Sequence, residues 1–134
     1  LQSTGLELSE ADLAAMHGKK TGCLLSASAQ LGAIIVGAGS AQRESLRAYA
    51  KAIGLAFQVV DDVLDATVPS DQLGKTAGKD AAAHKATYVS VLGVNKASEL
   101  ARHLHQQAYE AIKGFGVHGH YLRGLADFIV RRAY

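Results

Sequence analysis

Asp61, Asp62 and Asp65 form an Asp-Asp-x-x-Asp pattern that can bind a divalent cation. Residues three and four apart are neighbours on a helix, so all three carboxylates can project from nearly one face and repel one another. They also lie near the C-terminal end of a predicted helix, where the helix dipole disfavours negative charge. Magnesium would relieve both costs, because it prefers oxygen ligands and commonly shares one or two carboxylates with substrate phosphates. A solvated acidic helix end would give the same pattern.

Gln58 is a lone amide in the otherwise apolar segment that precedes these aspartates. It lies one helical turn before Asp61 and Asp62, on the same face. The simplest interpretation is that its amide belongs to the same site.

A basic, glycine-rich segment follows ten residues after Asp65: Gly74-Lys75-Thr76-Ala77-Gly78-Lys79-Asp80, with Lys85 a little further on. Carboxylates, a metal ion and lysines together suit a polyanion such as a diphosphate. The segment lacks the spacing and the preceding strand of a nucleotide-binding P-loop, which excludes that interpretation. Taken alone, such a segment is most often an ordinary surface loop.

The elements that would position these groups are all helical, because apolar residues recur at intervals of three and four and no segment alternates as a half-buried strand does. Ser9 predicts the start of a first helix, which glycines 18, 22 and 32 can bend before it stops at residues 37–39. Further helices are predicted at residues 40–66, 87–92, 95–113 and 121–132, with a long functional loop at 67–85. No point in the chain marks a second domain.

Composition narrows the class of protein further. Hydrophobic residues make up 49% of the 134 residues and charged residues 19%, which favours a folded chain. With 14 Lys and Arg against 12 Asp and Glu, no nucleic-acid partner is indicated. The longest apolar run, residues 31–38, is far short of the roughly 20 residues of a membrane span. Cys23 is the only cysteine, so no intrachain disulfide forms; we expect a small buried hydrophobe in a cytoplasmic protein.

Three motifs together resemble the trans-prenyl diphosphate synthases, most closely bacterial farnesyl diphosphate synthases. They are His17-x-x-Lys20-Thr21-Gly22, then Phe57-Gln58-x-x-Asp61-Asp62-x-x-Asp65, and then Gly74-Lys75-x-x-Gly78-x-Asp80 with Lys85-Ala86-Thr87-Tyr88. The resemblance extends from about residue 10 to residue 132 and is far more specific than any single motif. It implies the all-α isoprenoid synthase bundle, of which this chain would be the C-terminal half.

The resemblance also implies a reaction and a role for each residue. An allylic diphosphate ionises, isopentenyl diphosphate attacks the carbocation, a proton is lost, and pyrophosphate leaves. Mg²⁺ would be bound by Asp61 and Asp65, with Asp62 in support. The negative charge that develops on pyrophosphate would be neutralised by three lysines, Lys20, Lys75 and Lys85. Thr21 and Gln58 would face the cation, and Phe57 would shape the isopentenyl pocket.

The chain departs from the family in one respect. Members also carry an earlier aspartate-rich motif followed by an arginine pair on a facing helix, and this sequence has neither. We therefore expect residues 1–134 to be a single partial domain, inactive alone and homodimeric when full length. A non-catalytic regulatory or binding subunit of the same fold is the alternative, and a terpene cyclase fits the lysine-rich loop less well.

Other candidate residues receive no catalytic role. The pairs His103/His105 and His118/His120 have two-residue spacing and no nearby acids in the sequence, which favours surface histidines. Four aromatic residues at helical intervals are interpreted as core packing. They are Tyr109, Phe115, Tyr121 and Phe128. Arg131 and Arg132 are either solvated helix-end charges or the basic tail that some family members close over the site.

Overall fold

A computed structural model describes residues 8–67 and 86–132 of the chain. Within those ranges every regular element is helical, so the predicted all-α class is confirmed. The α-helices, in chain order, are α1 (Glu10–His17), α2 (Cys23–Ile35), α3 (Ser40–Thr67), α4 (Tyr88–Leu92), α5 (Val94–Ala111) and α6 (His120–Arg131). A π-helical turn (Gly18–Gly22) joins α1 to α2, and a 3₁₀ segment (Lys113–Gly119) joins α5 to α6.

The first helix begins and bends where the sequence predicts. Ser9 caps α1 by accepting a hydrogen bond from the backbone of Asp12, while the Asp12 carboxylate accepts one from the backbone of Ser9. These reciprocal bonds satisfy amides that the first helical turn leaves unpaired. The predicted bend at the glycines is the π-helical turn, which inserts extra backbone between α1 and α2.

The long helix α3 forms the centre of the packing. Its predicted limits, 40–66, differ by one residue from the observed Ser40–Thr67. Small residues on α5 let this helix lie close along α3, so that the two share one core. The buried residues of this core include Ile53, Ala56, Val59 and Val60 from α3 and Ala97, Ala101, Leu104 and Ala108 from α5.

The π-helical turn lies directly against α3. A Cβ atom added at Gly54 would be 3.2 Å from the Cα atom of Gly22 and 3.3 Å from Cδ1 of Leu25. A side chain there would be tighter than most Cβ contacts and would push the turn away by a few tenths of an ångström, so glycine favours this close approach.

Two polar side chains on α5 bind one aspartate on α6. Nε2 of His105 lies 2.7 Å from Oδ1 of Asp127, and the Tyr109 hydroxyl donates to the same oxygen at 2.8 Å. The prediction that His103 and His105 are surface histidines is therefore wrong for His105, which is partly buried and has an acidic partner on another helix. The sequence does not reveal this contact because the partners are 22 residues apart and meet only when α6 packs on α5.

Several apolar residues expected in the core lie on the surface. Tyr121 is 80% exposed and Phe128 is 67% exposed, whereas Tyr109 and Phe115 are half-buried. Cys23 is also exposed rather than buried. Tyr121 and Phe128 are seven residues apart and so share one face of α6, but spacing does not show whether another element covers that face. Further large apolar side chains are exposed on α2, including Leu24, Leu31 and Ile35.

None of the helices described in residues 8–67 and 86–132 is long and apolar enough to cross a bilayer.

The α5–α6 cluster predicts a pH dependence of stability. Burial raises the pKa of Asp127, but hydrogen bonds from His105 and Tyr109 outweigh it, so its pKa lies below the usual 3.8. A carboxyl group whose pKa is lower in the folded chain than in the unfolded chain stabilises the fold at pH values above its unfolded pKa. This stabilisation is lost as the pH falls through the pKa of the folded state. We expect Asp127→Asn to be less stable than the unaltered chain at neutral pH, with the difference shrinking as pH falls below about 4.

Urea unfolding followed by circular dichroism at several pH values measures this difference. Tyr109→Phe, which removes one of the two donors, should reproduce only part of it. A stability gap that stays constant into acid, or that widens there, would contradict the assignment.

Candidate functional site

The three aspartates at the C-terminal end of α3 differ in how far they are exposed to solvent. Asp62 is buried, with 7% of its surface exposed. The Asp61 side chain is 37% exposed, and Asp65 is intermediate. The expectation that all three carboxylates project from nearly one face is therefore wrong for Asp62, which points into the core.

Asp62 is held by hydrogen bonds to both carboxylate oxygens. The Gln58 amide nitrogen donates to Oδ1 at 3.0 Å, and the backbone N–H of Tyr88 donates to Oδ2 at 2.8 Å. A carboxylate can be buried at tolerable cost when such donors replace its water. Asp62 thus connects the end of α3 to the start of α4. Because Gln58 donates this hydrogen bond, the nitrogen of its amide faces Asp62.

Tyr88 links this anchor to the π-helical turn. Its side chain is fully buried, and burial, followed by the nearby Asp62 charge, raises its pKa. The ring lies 5.7 Å from the His17 ring, centroid to centroid. His17 immediately precedes the turn that carries Lys20 and Thr21. In the sequence Tyr88 stands out only as part of a motif, and its structural role was not predicted; the cap-forming Thr87 before it was the available signal.

The π-helical turn that carries Lys20 and Thr21 packs against α3 on the N-terminal side of the aspartates. Lys20 is exposed and Thr21 is half-buried. The turn meets α3 at Gly54, and at 1.5 Å per residue Gln58 follows about 6 Å further along the helix and Asp61 about 10 Å. Lys75 and Lys85, the other two predicted lysines, lie outside the described residues.

Arg132, just past the end of α6, also reaches this region. Its Nη2 atom lies 3.1 Å from Oδ1 of Asp61, and its guanidinium carbon is 5.3 Å from the centre of the Phe57 ring. The interpretation of Arg132 as a solvated helix-end charge is therefore wrong, because α6 returns the C-terminal residues to the end of α3. Arg131 is exposed.

The described carboxylates fit a shared ion rather than an ion enclosed by protein. Within residues 8–67 and 86–132, no group of three or more potential ligands converges on one point. Asp61 and Asp65 remain accessible, one turn apart. Magnesium typically binds one or two carboxylates together with water and substrate phosphates, so this pair matches its usual donor set.

A cavity of about 300 Å³ lies between the bent first helix and α3. Its lining includes the turn glycines, Gly18 and Gly22, with Leu55 on α3 and two cations, Arg47 and Lys51. None of the three aspartates belongs to that lining. The cavity therefore adjoins the turn but is separate from the acidic end of α3.

Comparison with known families gives one match over most of the chain. Residues 1–115 match the family described as polyprenyl synthetase. A curated relative, geranylgeranyl pyrophosphate synthase 10, mitochondrial, from Arabidopsis thaliana, is 49% identical over 130 residues. That match covers 96% of this chain but only 37% of the relative, so the chain spans about a third of the relative's length.

Two solved structures are similar in fold. An FPP/GFPP synthase from Zymomonas mobilis superposes with a TM-score of 0.79 at 32% identity, covering 96% of this chain and 41% of that one. A geranyltransferase from Helicobacter pylori, complexed with magnesium and isoprenyl diphosphate, superposes with a TM-score of 0.77 at 27% identity. That superposition covers 97% of this chain and 43% of the other.

The geometry predicts different effects for neighbouring aspartates. Asp62→Ala leaves the buried Tyr88 N–H without its acceptor, so we expect a loss of about 2 kcal/mol in the free energy of unfolding. Asp65→Ala, on the same helix end, should change it by no more than about 0.5 kcal/mol. Denaturant titration followed by circular dichroism measures both values. Equal losses in the two variants would show that Asp62 is not the anchor.

Proposed function

The chain belongs to the polyprenyl synthetase family, the trans-prenyl diphosphate synthases, and on that premise we propose that it forms the diphosphate-binding half of a magnesium-dependent prenyltransferase site. The reaction is the head-to-tail condensation of an allylic diphosphate with isopentenyl diphosphate. The allylic C–O bond breaks with its electron pair going to pyrophosphate, the isopentenyl double bond attacks the cation, and a proton is lost.

One observation carries the proposal: the helix that bears the accessible carboxylates also packs, at Gly54, against the π-helical turn that carries Lys20 and Thr21. Carboxylates on α3 and a lysine on the turn packed against it suit a substrate that is anionic and metal-bound. Asp61 and Asp65 would hold Mg²⁺, which would supply positive charge to the leaving pyrophosphate. The ammonium group of Lys20 would add charge to the same group. Stabilising the charge that develops on the leaving group is the expected main source of rate.

Other residues of the site would act on the apolar part of the substrates. The Gln58 nitrogen donates to Asp62, so its carbonyl oxygen is the end left to face the carbocation together with the Thr21 hydroxyl. Phe57, half-buried on α3, would shape the isopentenyl pocket. We extend the phosphate-binding role to Lys75 and Lys85 from their position in the family motif.

The complete reaction needs more than this chain, since the chain spans about a third of its curated relative. We propose that residues 1–134 form a single partial domain and that turnover requires the remaining length of the enzyme. Farnesyl remains the predicted product, although the relative at 49% identity is named for geranylgeranyl pyrophosphate. Homodimer formation and a cytoplasmic location also stay predictions.

Calorimetric titration with pyrophosphate tests the assigned ligand. With Mg²⁺ present, we expect Asp61→Asn to weaken pyrophosphate binding at least about tenfold, because loss of an ion's ligand or its support typically costs that much. Without Mg²⁺, the variant should bind pyrophosphate no more weakly than the unaltered chain, because it removes a carboxylate that repels the anion.

Glu44→Gln is the matched control for this titration. It removes the same charge from the same helix, 17 residues or about 25 Å before Asp61. Its pyrophosphate binding should stay within about twofold of the unaltered chain. If Asp61→Asn and Glu44→Gln behave alike, Asp61 does not bind the metal.

A further inference from the structure

Arg132 contacts two residues of the proposed site at once. It forms an ion pair with Asp61 across 71 positions of the sequence, at 3.1 Å, and both side chains are only about a third exposed. The guanidinium also lies over the face of the Phe57 ring. Contacts with both a carboxylate and an aromatic face suit the planar guanidinium and would be lost with most other side chains.

The acidic end of α3 needs a cation in the absence of metal. Asp61 and Asp65 are one turn apart and repel each other, and both lie at the negative end of the helix dipole. Arg132 supplies positive charge at this place. It therefore satisfies the same electrostatic requirement that Mg²⁺ would satisfy during the reaction.

A guanidinium and a divalent cation repel when both lie within a few ångströms of one carboxylate. We propose that Arg132 is a positioning residue that holds Asp61 and covers Phe57 until a metal ion displaces it. This inference rests on the proposed role of Asp61 as a metal ligand. Metal binding then frees the guanidinium from Asp61 and uncovers one face of Phe57. The metal ion thus takes the place of the guanidinium at Asp61, and the C-terminal end of α6 is released in the same step.

The exchange predicts a gain of metal affinity when Arg132 is removed. Titration of the full 134-residue chain with Mn²⁺, followed by the electron paramagnetic resonance signal of the free ion, measures this affinity without substrate or turnover. We expect Arg132→Gln to bind Mn²⁺ about two- to fivefold more tightly than the unaltered chain, the factor that corresponds to an exposed ion pair. Arg132→Lys, which keeps the charge, should restore most of the original affinity.

Arg131→Gln is the matched control, because it removes the same charge from the neighbouring position. It should change Mn²⁺ affinity by less than about 1.5-fold, since screening weakens charges that make no direct contact. Equal gains in Arg131→Gln and Arg132→Gln would overturn the exchange and leave only a general effect of net charge. If no Mn²⁺ binding is lost in Asp61→Asn, the metal site fails, and both the proposed function and the exchange fail with it.

Chemical modification gives a second test that does not depend on a variant. Phenylglyoxal labelling of Arg132, quantified by tandem mass spectrometry with Arg131 as the internal reference, should increase when Mn²⁺ is added. Labelling of Arg132 that stays constant at saturating Mn²⁺ would overturn the release step even if metal binds at Asp61.

Discussion

The buried carboxylate of Asp62 is the constraint on which the site depends. It accepts hydrogen bonds from the Gln58 amide and from the backbone of Tyr88, and these donors compensate for the loss of water around a charge. Its position fixes the rotation of the last turns of α3, so Asp61 and Asp65 remain accessible. Because the ring of Tyr88 also contacts His17, the same anchor holds the π-helical turn that presents Lys20 and Thr21.

Electrostatic balance then determines what can approach the end of α3. A helix C-terminus that carries several carboxylates is unfavourable unless cations are near. Arg132 lies at Asp61, and Lys20 is presented by the neighbouring turn. Under the proposed function, a diphosphate with its metal ion would meet carboxylates and cations that the fold already supplies, which limits the reorganisation needed during reaction.

Local patterns in the sequence predicted the helices well. The Ser9 cap, the glycine bend and the limits of α3 all follow from residue types and spacing. Contacts between distant segments were not predictable in this way. Asp61 and Asp62 are adjacent on the helix, and the bond from Tyr88, 26 positions later, holds Asp62 on the inner side. The Arg132 contact and the exposed Phe128 likewise depend on how helices pack, and the Lys75 segment lies outside the described residues.

An anomalous difference map from crystals of the chain grown with Mn²⁺ and pyrophosphate would test the central claim most directly. We predict a peak within about 2.5 Å of a carboxylate oxygen of Asp61 or Asp65, with pyrophosphate between the metal and Lys20. In the structure refined from the same crystals, Asp62 should still accept the hydrogen bond from the backbone N–H of Tyr88. A peak away from α3, or an Asp62 that has left Tyr88 to bind the metal, would contradict the account.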